Sequence, residues 1–142
     1  MSSNPDEPNR RGVVAVIVSG GRFLVIRRSQ FVVAPGTYCF PGGAIEAGES
    51  EEAALVREIE EELRMQVRPL RRIWRSVTPW GVDLAWWLAD LAAGASPTPN
   101  LEEVESIHWF TPEEMVRLPG LLESNREFLR AWADGEVDVA EG

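Results

Sequence analysis

The junction at residues 41–50 constrains this chain more than any other segment. Pro41-Gly42-Gly43 and Gly48 break the backbone in quick succession, and Ser50-Glu51-Glu52 then supplies a helix N-cap followed by acids in the first turn. Such glycine-rich chain before a helix start predicts a tight loop delivered into a helix that runs to about Leu63. Upstream, residues 13–18 form a β-branched run, Ser19-Gly20-Gly21 is a turn signal, and residues 23–26 resume the apolar pattern, which predicts a hairpin. A short strand is expected at Tyr38-Cys39-Phe40, and two longer ones at 65–77 and 82–91, joined by Pro79-Trp80-Gly81. Residues 94–100 form a loop, and a strand over 105–110 precedes the capping box Thr111-Pro112-Glu113-Glu114. A second box, Ser124-Asn125-Arg126-Glu127, opens a last helix that Gly135 closes. Strands and helices in this mixed order imply α/β or α+β architecture with one sheet between helices.

On the helix after Ser50, Leu55, Val56, Ile59 and Leu63 share one side and form its buried stripe. Glu58, Glu61 and Glu62 gather on an adjacent arc, in the C-terminal half, where like charge and the macrodipole both oppose them. One reading is a solvated acidic face. The other is an oxygen site for a hard divalent cation such as Mg²⁺, which takes carboxylates and bridges to phosphates. Composition narrows the second reading. Cys39 is the single cysteine and His108 the single histidine, so thiolate clusters and His-rich sites are excluded and any metal is held by oxygen. All 14 basic residues are arginine, which excludes Schiff-base chemistry and a lysine-armed P-loop. A net charge of −9 argues against nucleic acid and anionic membrane as partners. The 142 residues suit one domain. Residues 1–11 are polar and lack the apolar core of a signal peptide, so a flexible N-terminal tail and a cytoplasmic location are expected. Residues 12–135 would form the domain and 136–142 a frayed acidic tail.

The wider spacing is more specific. Gly43, Glu49 and then Arg57-Glu58-Ile59-Glu60-Glu61-Glu62-Leu63-Arg64-Met65 resemble the signature box of the Nudix hydrolases, G-x5-E-x7-R-E-U-x-E-E-x-G-U, where U is a bulky aliphatic residue. Arg64 stands where the family has its last glycine, a position that usually turns left-handed after the helix. Phe40-Pro41-Gly42 leading in, and Trp109-Phe110 with a short helix after, extend the resemblance.

The resemblance implies an α/β/α sandwich with a mixed central sheet and metal-dependent hydrolysis of a nucleoside diphosphate linked to another moiety, with Mg²⁺ or Mn²⁺ as cofactor. Glu58, Glu61 and Glu62 would hold the metal, or one of them activate water, with the Gly42 carbonyl as a further ligand. Gly43 supports the loop, Arg57 orients neighbouring glutamates, and Glu49 ties loop to helix. Arg27 and Arg28 end a strand that often faces phosphates in the family; only one of two neighbours can do so, and Arg28 is preferred. Glu102 and Glu103 are candidate general bases, and Trp80 a candidate base-stacking residue. Trp86, Trp87, Trp109, Trp132 and Cys39 are assigned to the core. Substrates stay open among NTPs and dNTPs, ADP-ribose, dinucleoside polyphosphates and sugar nucleotides, because Pro79 is near but out of register with the proline that accompanies ADP-ribose activity. A homodimer fits the family. The alternatives are a nucleotide-binding module without turnover and a diphosphate-ester isomerase on the same scaffold.

Overall fold

In the computed structural model, which describes residues 10–140, strand β1 (Arg11–Ser19) is the axis of the sheet. Its side chains alternate, so Val13, Ala15 and Ile17 enter one core and Val14 and Val16 the other. β2 (Arg22–Arg28) returns antiparallel through the Gly20-Gly21 turn, with Val18 opposite Phe23. β1 pairs in parallel with β6 (Asp83–Leu91), and β6 pairs antiparallel with β5 (Val67–Val77). β3 (Tyr38–Cys39) and β7 (Val104–Phe110) flank β2, and β4 (Gly42–Ala44) lies antiparallel against the start of β1. The sheet is therefore mixed, as expected.

Helix α1 (Glu51–Leu63) covers one face through Ala54, Leu55, Ile59 and Leu63, while α2 (Pro112–Val116) and α3 (Glu123–Ala133) cover the other through Met115, Phe128, Leu129 and Ala131. This is the three-layer α/β/α sandwich. Trp86 stacks on Phe128 at 4.9 Å between ring centres in the second core, and Trp87, Trp109 and Trp132 pack partly buried. Cys39 is buried, which raises its thiol to about 11. Among the described residues no helix is long and apolar enough to cross a membrane.

Several expectations need correction. β4 is absent from the sequence reading because three small residues carry no periodicity. The last helix is capped at Leu122, not Ser124, with no side-chain cap; Asn125 turns inward to accept the Phe40 N–H at 2.8 Å. Residues 1–9 of the expected N-terminal tail, and 141–142 of the C-terminal one, lie outside the described residues. Arg11 already belongs to β1, and the Arg10 carbonyl accepts the Asp83 N–H at 2.8 Å. Residues 136–140 are docked rather than frayed: Val137 is buried in the second core, and Arg71 Nη2 donates to the carbonyls of Asp138 and Ala140 at 2.9 and 2.8 Å.

Candidate active site

Ser50 starts α1 by accepting the Ala53 N–H at 3.1 Å, and its apolar stripe fixes the rotation of the helix on the sheet. That rotation turns Glu62 inward to 6% exposure, leaves Glu58 half-buried and keeps Glu61 at the surface. Glu62 Oε1 accepts the Gly42 N–H at 3.1 Å. β4 is threaded between β1 and α1, so tightly that Gly42 has no room for a Cβ and Gly43 has none while Glu58 keeps its place. A Cβ on Gly42 would lie 2.1 Å from the Val13 carbonyl oxygen, and one on Gly43 2.3 Å from the Glu58 carboxylate.

Arg57 organises the acids around it. Its Nε and Nη2 grip both oxygens of Glu49 at 2.7 and 2.8 Å, Nη2 donates to the Ala44 carbonyl at 2.9 Å, and Nη1 reaches Glu58 and Glu61 at 3.0 Å each. One guanidinium thus ties helix, loop and β4 together. Hydrogen bonds from Arg57 hold the Glu49 carboxyl down at about 2 and push Arg57 itself upward. Burial raises Glu58 against the opposing pull of Arg57. Glu62 is raised well above the usual carboxylate range, first by burial and then by the Glu58 charge, with Glu103 adding to it. Among the described residues no three acids close on one point as a finished chelate: Arg57 spans Glu58 and Glu61, and Glu62 faces the Gly42 N–H. The donor set is all oxygen, and a buried carboxylate among like charges is costly unless a proton or cation joins it, which fits a hard divalent ion.

Beside these acids opens a cleft of about 420 Å³. Cys39, Phe40, Gly42 and Gly43 line it together with exposed Val33 and Trp80 and, at the start of α3, Asn125. Arg28 lies in the cleft, its Nε donating to the Val33 carbonyl at 2.6 Å. Arg27 does not. Strand alternation turns it to the opposite face, where it pairs with Glu105 at 3.1 Å and lies 5.5 Å over the Tyr38 ring, which corrects its assignment to substrate. Trp80 stands at the tip of the β5–β6 hairpin, 69% exposed. Glu103 is brought to the acids, its carboxylate held by Asn100 Nδ2 at 3.3 Å and adding to the charge felt by Glu58 and Glu62. Glu102 stays exposed and contributes its carbonyl to Ser29 instead. His108 stacks on Phe110 outside the cleft.

Asn125 lines the cleft and Asn100 holds Glu103, two roles that the sequence analysis above does not assign. Asn125 falls three and four residues before Phe128 and Leu129, on the apolar stripe of α3, and a lone amide on such a stripe is the signal that marks it. Asn100 sits in a proline-rich loop with no periodicity to place it.

A family model described as NUDIX domain matches residues 8–132. The chain is 30% identical over 107 residues to the NAD-capped RNA hydrolase NudC of Stutzerimonas stutzeri, covering 75% of this chain and 38% of that protein. It is 31% identical over 129 residues to the protein of the same name from Deinococcus radiodurans, covering 86% and 45%. The chain thus spans less than half the length of these relatives. Among solved structures, a MutT NUDIX hydrolase from Burkholderia pseudomallei superposes with a TM-score of 0.73 at 27% identity, over 88% of this chain and 98% of that one. A MutT protein from Methanosarcina mazei gives 0.76 at 21% identity, over 93% and 98%, a likeness of fold.

Proposed function

The chain belongs to the NUDIX domain family, and from that premise we propose that it is a metal-dependent pyrophosphohydrolase that cleaves a nucleoside diphosphate linked to another moiety. The observation that carries this reading is the buried Glu62, which feels the charges of Glu58 and Glu103 and is joined to the N–H of Gly42, a residue that lines the cleft holding Arg28. Glu58, Glu61, Glu62 and the Gly42 carbonyl would hold Mg²⁺ or Mn²⁺, which when bound neutralises the pyrophosphate and makes an attacking water more acidic. Arg28 offers its guanidinium to a phosphate oxygen. Trp80 stacks on the base at the open end of the cleft. Glu103 Oε2, next to the acids and outside the Arg57 cluster, takes the proton of the attacking water. Arg57 and Glu49 keep loop and helix in one geometry.

The relatives named for NAD-capped RNA act on a pyrophosphate-linked nucleotide. For this chain, with its net charge of −9, the small-molecule end of that range is the proposed substrate. The test is a panel of NTPs, dNTPs, ADP-ribose, dinucleoside polyphosphates, sugar nucleotides, NAD and an NAD-capped oligonucleotide, with Mg²⁺ or Mn²⁺ and a metal-free control. Metal-dependent release of a nucleoside monophosphate is expected from one class. Glu62→Gln is expected to lower that turnover by about 10²–10³-fold, the usual cost of removing one group that stabilises transition-state charge. Its unfolding midpoint should be equal or higher, since a buried acid among like charges becomes a neutral isostere. Near wild-type turnover in that variant would sink the assignment, and tight nucleotide binding without product would identify a binding module instead.

A further inference from the structure

The C-terminal end of α1 is closed from outside the helix. Of its last carbonyls, Glu60 accepts the Arg64 N–H at 2.9 Å, Glu61 accepts Asn100 Nδ2 at 3.1 Å, Glu62 accepts the Asn100 N–H at 2.8 Å and Leu63 accepts the Thr98 N–H at 2.8 Å. Helix ends leave such groups to water or to a local cap. Here the carbonyls of two metal-site glutamates go to a single residue on a distant loop.

Asn100 also acts in the other direction. Its Nδ2 donates to Glu103 Oε2 at 3.3 Å, and its Oδ1 accepts the Glu102 N–H at 3.3 Å. Its carbonyl accepts the N–H groups of Glu103 and Val104 at 2.9 and 2.8 Å. The amide has two protons, one for the helix and one for the carboxylate, and an oxygen for the loop backbone. Closing the helix requires only donors. The simultaneous contact to Glu103 requires this side chain: aspartate has no proton for either acceptor, and alanine reaches neither. Ser29 anchors the far side of the loop, its N–H and Oγ donating to the carbonyls of Glu103 and Glu102 at 3.0 and 2.7 Å. The loop backbone is therefore also held by contacts other than those of the Asn100 side chain.

Resting on the function proposed above, we propose that Asn100 is a positioning residue that fixes the Glu103 carboxylate against the last turn of α1, so that the base and the metal-holding acids share one geometry. It touches no reacting atom itself. Asn100→Ala and Asn100→Asp, each alone and combined with Glu103→Gln, test this by steady-state kinetics with Mg²⁺ and by the carboxyl-carbon resonance of Glu103 in metal-free protein. The Asp variant keeps the acceptor for Glu102 and the backbone–backbone hydrogen bonds of residue 100, which guards against loss of fold in the Ala variant. Each single Asn100 variant is expected to lose about 10–100-fold in kcat, the usual cost of losing an orienting partner, with KM changed less than about twofold. In the Glu103→Gln background the same substitutions should cost less than about twofold more, because the group they position is already gone. The Glu103 resonance should shift in both single variants. An undiminished kcat penalty in the Glu103→Gln background overturns the proposal, as does an unmoved resonance. Should the wild-type chain turn over no pyrophosphate compound, the proposed function falls while the resonance still decides the place of Asn100.

Discussion

Gly43 has the Glu58 carboxylate packed against its Cα, so its missing side chain is what lets that acid reach the site. Gly43→Ala is expected to push Glu58 aside and to abolish metal-dependent turnover, with calorimetric metal titration showing weakened binding. Glu49 gives a different kind of prediction. Arg57 holds its carboxyl at about 2, below the ordinary 4.5, so the stabilisation from this pair is fully present above pH 4.5 and fades as pH falls through 2. The stability difference between wild type and Glu49→Gln, from denaturant unfolding, should therefore be constant from neutral pH to about 5 and shrink steadily below it. Much of this was legible through the resemblance to the box, whose positions Gly43, Glu49 and Arg57 occupy: the structure joins Arg57 to Glu49 and sets Gly43 against Glu58. Arg27 was not separable from Arg28 by spacing; only strand direction, set by distant pairing with β7, tells which of the two faces the cleft.

At the scale of elements, α1 ends at a left-handed residue that is not glycine. Arg64 has φ 52° and ψ 40°, and its N–H closes the last turn on the Glu60 carbonyl. Arg64→Gly removes the Cβ strain at the cost of a more flexible unfolded chain. A net gain of about 0.5–1 kcal/mol is expected, seen as a midpoint raised by roughly 2–4 °C with kcat unchanged. This helix was legible at both ends, because Ser50 is a local cap and the box position of Arg64 is a local turn. The capping box of α2 was likewise legible, with Thr111 and Glu114 exchanging hydrogen bonds at 3.1 and 2.8 Å. The start of α3 was not, since Asn125 serves the Phe40 backbone across the fold, and a long-range partner leaves no trace in neighbouring residues.

For the whole molecule, the second core extends past α3. Val137 is buried there, Val139 packs against it, and Arg71 on β5 holds the backbone that follows. Deleting residues 136–142 is expected to cost about 2–3 kcal/mol, the burial of one valine and part of another, and to lower the thermal midpoint by several degrees without changing KM. The sequence could not show this docking, because acidic residues alternate with the two valines and the strand that receives them is far away. Nor could it show the parallel pairing of β1 with β6, which joins segments separated by all of α1 and β5. The hairpin of β5 and β6 has one more consequence. Its ladder closes at Val77 opposite Asp83, and the residues beyond that rung reach the cleft through Thr78, Trp80 and Val82, with Leu84 of β6 joining them from within the ladder. Under the proposed function, base stacking and the acids of α1 would then rest on separate supports, and the tip is a replaceable fitting: exchanging it for one of another length or composition should redraw the mouth of the cleft while Glu58, Glu61 and Glu62 stay where they are.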